Sequence, residues 1–208
     1  MEKEISGDLF FDEKQSLKII KSAIATSKKA LMDEGLLLIL WGAALSVSNF
    51  WNYYNSAFLT TWWMKNLMNF IQIATGLLVV GFTIYFVFIR KRNVTTFGAI
   101  STRFVWIGVI FAHNINVIVT KSILEEVNFT LLHPIQLTLI GFALFITGGI
   151  YRYYILVAAG VGMWISAAIC ANYELNIQFL VRSIAEVICF IIPGILMFTA
   201  RKRILAHV

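Results

Sequence analysis

Six stretches of 17 to 23 residues, at 36–54, 67–89, 104–120, 131–150, 155–171 and 179–200, are apolar over most of their length. At about 1.5 Å per helical residue, each crosses most or all of a hydrocarbon layer about 30 Å thick. A backbone in lipid must close its own hydrogen bonds, which leaves helices or closed barrels. These runs lack the two-residue alternation of a barrel strand. The predicted fold is therefore all-α: a polytopic membrane protein with six transmembrane helices in one bundle. Composition agrees, with 59% hydrophobic residues, 13% charged residues and a mean hydropathy of +0.80.

The segments around the spans set the organisation. Residues 1–13 carry Glu2, Glu4, Asp8, Asp12 and Glu13 and read as a mobile acidic tail; they lack the basic start and apolar core of a secretory signal. Over 14–34, Leu17, Ile20, Ile24 and Leu31 recur at helical spacing while Lys14, Lys18, Lys21, Lys28 and Lys29 hold mostly other faces. This predicts a basic amphipathic helix lying on an anionic membrane surface, with a solvated lead-in helix or a partner-docking face as alternatives. Residues 35–203 form the six-helix domain and 204–208 a short tail. Of the 17 lysines and arginines, 13 flank one side of the predicted bundle, 3 flank the other and 1 lies in the acidic tail. The positive-inside rule then puts both termini in the cytoplasm, as an even number of spans requires. Those flanks also account for the net charge of +6, so no nucleic-acid partner is implied.

Polar groups inside the spans are the candidates for function, because each is costly in lipid without a partner or water. The span 104–120 holds His113, Asn114 and Asn116 near mid-depth. Asn49, Asn52, Gln72, Gln136 and Glu186 fall in the outer parts of other spans, whereas the inner half is apolar and small-residue-rich. Two readings remain open. The amides can act as interhelical glue, or they can line a polar cavity open to the outer side. On the second reading the ligand-binding residues are His113, Asn116, Asn49, Gln136, Glu186 and Arg182. Arg182 lies one turn before Glu186 and can pair with it, though basic before acidic is the weaker helical order. Alternatively Arg182 snorkels to the outer interface, leaving Glu186 to His113 as a proton-binding or ligand-orienting pair. Pro193-Gly194 predicts a hinge or kink below Glu186.

Catalytic patterns are missing. Cys170 and Cys189 both lie within spans, and His113, His133 and His207 are dispersed. There is no HExxH, GxSxG, Walker A or GxGxxG motif, so neither an enzyme, a metal site nor a cofactor is expected. The expected partners are the lipid bilayer, a small polar ligand, and a second copy or another membrane protein.

The helix leading into Gly35-Leu36-Leu37-Leu38-Ile39-Leu40-Trp41-Gly42 and the late Ile192-Pro193-Gly194 resemble a group of uncharacterised six-span bacterial inner-membrane proteins. That resemblance implies a fold and an inner-membrane location and carries no activity. In size and span number the chain also looks like the substrate-capture subunits of energy-coupling vitamin transporters. By that likeness, Gly42, Ala43, Ala44, Ser46 and Ser48 would dock a partner. The function expected is non-enzymatic: a binding or sensing subunit, with a transporter component or oligomeric channel, or a structural assembly protein, as alternatives.

Overall fold

The structure, a computed structural model, describes residue 15 and residues 35–58, 61–85 and 97–206. The acidic tail expected over 1–13, the amphipathic helix expected over 14–34 apart from Gln15, and the second span beyond residue 85 lie outside the described residues. Among those described, regular structure is entirely helical: α1 (Gly35–Phe58), α2 (Trp62–Ile84), α3 (Phe97–Leu124), α4 (Phe129–Tyr151), α5 (Tyr154–Cys170), α6 (Leu175–Glu186), a π-helical turn (Val187–Ile191) and α7 (Ile192–Ala206). Five segments are long and apolar enough to cross a membrane: α1, α2, α3, α4 and the continuous run Leu175–Ala200. The remaining expected span, α5, has 17 residues, about 26 Å of helix. Large apolar side chains such as Phe70, Leu78 and Ile165 cover the exterior. Such a surface belongs in lipid, and the chain is a multi-pass, membrane-embedded protein.

Two boundaries differ most from the sequence expectation. Helix α3 begins at Phe97 rather than 104, because Arg103 ends an apolar run without ending helical geometry. At the other end of the chain, α7 runs to Ala206, through residues expected to start a separate tail.

Helices α4 and α5 form the tightest pair, and their hairpin explains itself locally. Asn128 caps α4, its side chain accepting from the Leu131 amide at 3.1 Å. At the far end Arg152 takes a left-handed conformation, φ 52°, and the Tyr153 amide donates back to Gly148 O at 2.8 Å. That closes the helix and reverses the chain in two residues. Between the helices, a Cβ added to Gly160 would stand 2.7 Å from Gly141 O and from the Phe145 amide. Only glycine permits this backbone approach. Leu137, Leu144, Leu156, Met163 and Met197, all fully buried, fill the core beside it.

Around that hairpin, α6, the π turn and α7 pack on α5, and α1 lies antiparallel across them. Gly35 abuts Gly194 at one end of the α1 seam, Gly42 meets Phe190 farther along, and Ser56 donates to Asn176 Oδ1 at 2.6 Å at the other. Gly42 and Ser46, offered by resemblance as partner-docking residues, are thus used within the bundle. Helix α2 packs on α1, held by Trp41 Nε1 donating to Thr83 Oγ1 at 2.9 Å and Gln72 donating to Asn52 Oδ1 at 3.0 Å. Helix α3 leans on α4.

Overpacking the α4–α5 seam is expected to be costly. Gly160→Leu should lower stability in detergent unfolding by about 1–3 kcal/mol or prevent folding, whereas Gly81→Leu, with nothing within 4 Å of its added Cβ, should be neutral.

Candidate functional site

The polar centre is built on one stripe of α6. Gln178, Arg182 and Glu186 recur every four residues, so they share a face, and all three are buried, at 0%, 5% and 0% exposure. Glu186 sits near the middle of the 26-residue span Leu175–Ala200. Asn49 of α1 donates its amide to both carboxylate oxygens, at 2.9 and 2.8 Å. Arg182 Nη2 approaches Glu186 Oε1 at 3.7 Å. Beside this group, Ser46 and Ser183 exchange bonds: Ser46 Oγ donates to Ser183 O at 3.0 Å and Ser183 Oγ to Ser46 O at 2.9 Å. The α1–α6 seam is therefore a dry polar ladder, and the carboxylate is its anchor.

One turn farther along α6, Gln178 ties three helix ends together. Its amide nitrogen donates to Thr130 O, Cys170 O and Tyr173 O, each at 3.0 Å. The first acceptor follows from sequence: Pro134 has no N–H, so the Thr130 carbonyl one turn earlier lacks its α-helical donor. His133, also buried, packs edge-on against Phe179 at 4.9 Å.

Arg182 stands between these two arrangements with few acceptors. A guanidinium carries five N–H donors. Here the carboxylate at 3.7 Å is its ion-pair partner, and its buried Nε has no hydrogen-bond partner among the described residues. Helix α6, which carries this cation, packs against α1, α4 and α5. His133 Nδ1 and Gln178 Oε1 are buried without a well-aligned hydrogen bond, although the two side chains interact with each other. An unpartnered guanidinium N–H is unusual in a folded interior.

The six residues named from sequence thus separate. Asn49, Arg182 and Glu186 come together. His113 is half-buried on the packed side of α3, and Glu186 takes Arg182 and Asn49 as partners in place of it. Asn116 donates to its own helix, to Ala112 O at 2.8 Å, and Gln136 makes no hydrogen bond among the described residues. Two open grooves lie elsewhere. One of about 180 Å³ runs between α1 and α2 past Trp51 and Gln72, and one of about 430 Å³ lies between α4 and α5 past Thr138 and Trp164. Among the described residues, no three His, Cys, Asp or Glu gather closely enough to hold a metal ion. Ser46, Ser183, Gln178 and His133 complete the centre although sequence reasoning did not select them. The four-residue repeat Gln178, Arg182, Glu186 was the signal that would have found Gln178.

No protein-family model, curated protein or solved structure matches the chain.

Removing one charge from the pair leaves the other buried alone. Glu186→Leu should cost about 3–5 kcal/mol in unfolding measurements, whereas the double change Arg182→Leu/Glu186→Leu should recover most of that loss. Additive single and double effects would mean the charges do not interact.

Proposed function

We propose that the chain is a six-span protein of the bacterial inner membrane, with both termini cytoplasmic, that binds or senses a small polar ligand or partner segment and performs no catalysis. Five long apolar helices and one shorter one support the span number, and the lysine and arginine partition supports the orientation. The observation that carries the binding reading is Arg182. It is buried, its Nε is unpartnered among the described residues, and its ion-pair partner Glu186 stands 3.7 Å away. His113 and Asn116 on α3 are half-buried, whereas Asn49, Ser46 and Ser183 in the α1–α6 seam are buried. A ligand bearing acceptor oxygens, reaching the centre along α3, would complete the guanidinium's hydrogen bonds.

A second reading has its own support. The Asn49–Glu186 and Ser46–Ser183 bonds are complete interhelical contacts, as a structural assembly protein would need.

Native mass spectrometry of gently extracted protein separates the two. Wild type is expected to retain a discrete non-lipid mass that the folded Arg182→Leu/Glu186→Leu variant loses. Identical spectra containing ordinary lipids alone would favour the structural reading.

A further inference from the structure

Helix α3 carries a second polar residue that the centre does not use. Asn114 is exposed, and its one hydrogen bond among the described residues is to its own helix, Nδ2 to Ile110 O at 2.7 Å. The second amide N–H and Oδ1 therefore have no protein partner among those residues. Asn114 lies about 16 Å of helix from Arg103 and about 10 Å from Lys121, too deep for so short a side chain to reach an interface. Hydrocarbon offers neither group a hydrogen bond.

The surrounding face is bare as well. Helix α3 is only 6% buried over its most apolar stretch, and Ile107, Ile110 and Ile118 are 40%, 61% and 63% exposed. Ile100, Ile107 and Asn114 recur at every seventh residue, and Ile110 follows Ile107 by three. This is the spacing by which two parallel helices interdigitate, and a lone asparagine among β-branched seam residues specifies pairing in that geometry.

We infer that this face of α3 is the contact between two copies of the chain, with Asn114 of one copy bonded to Asn114 of the other. The choice of a second copy follows from chemistry and symmetry. A two-fold axis along the membrane normal brings identical residues to the same depth. A primary amide carries both donor and acceptor, so two of them satisfy each other reciprocally. Arg103 falls on the same face near one end, where its long side chain can reach the interface, and no charged residue lies between it and Lys121 to oppose close approach of like faces. Asn114 is exposed and about 100° round the helix from the half-buried His113, so this pairing does not use the residues of the ligand reading.

The test measures association of full-length chains labelled with donor or acceptor fluorophores in liposomes, over a range of protein-to-lipid ratios. Wild type should associate, Asn114→Leu should weaken association about tenfold, and Ser166→Ala on α5 should leave it unchanged. Under mild oxidation, Asn114→Cys should form a disulfide between copies. Wild type, whose Cys170 and Cys189 are buried, should not. Absence of association in wild type, undiminished association in Asn114→Leu, or failure of Asn114→Cys to crosslink would each overturn the inference.

Discussion

A carboxylate and a guanidinium half-way through an apolar bundle are tolerable only where each has partners, because neither lipid nor a packed core can solvate them. Glu186 meets that condition fully, with both oxygens on Asn49 and the Arg182 charge alongside. The consequence reaches well beyond one contact. It holds α1 against α6, and α2 packs in turn on α1. Arg182 meets the condition on one side alone, which makes the same cluster both a structural anchor and the strongest candidate for binding.

The last span is shaped to present that cluster. Pro193 cannot donate to Cys189 O, and the backbone just before it widens into the π turn Val187–Ile191, with the Ile192 amide bonding to Val187 O. Eight residues of ideal α-helix would turn Gly194 about 80° away from Glu186; one residue taken up in a wide turn reduces that to about 20°. Both residues then address α1, Glu186 through Asn49 and Gly194 through Gly35 and Ile39. Substituted alone, neither the proline nor the glycine could serve this alignment in the same way.

How much of this was legible in the sequence depended on the range of the interaction. Long apolar runs reveal membrane helices because the bilayer reads a single segment at a time, and the all-helical bundle followed. The i,i+4 relation of Arg182 and Glu186 was visible for the same local reason. Asn49 as the partner of Glu186 was not, since 137 residues separate them and depth alone could not choose between Asn49, Asn116 and His113. The expected weight on His113, Asn114 and Asn116 as one group dissolved because a helix sends neighbours to different faces. His113 lies on the packed side of α3, Asn114 turns outward, and Asn116 closes on its own backbone. The wide turn was foreshadowed by Pro193-Gly194, but its direction depends on what α1 offers across the seam.

On the binding reading proposed above, the centre is sealed where α1 covers it and is approached along α3. Side-specific thiol labelling in sealed vesicles tests that asymmetry most directly. A charged, membrane-impermeant reagent is expected to modify His113→Cys and Asn116→Cys from one face and to leave Ser46→Cys and Ser183→Cys unmodified. Labelling of Ser46→Cys as fast as His113→Cys, or no labelling of His113→Cys from either face, would contradict the account.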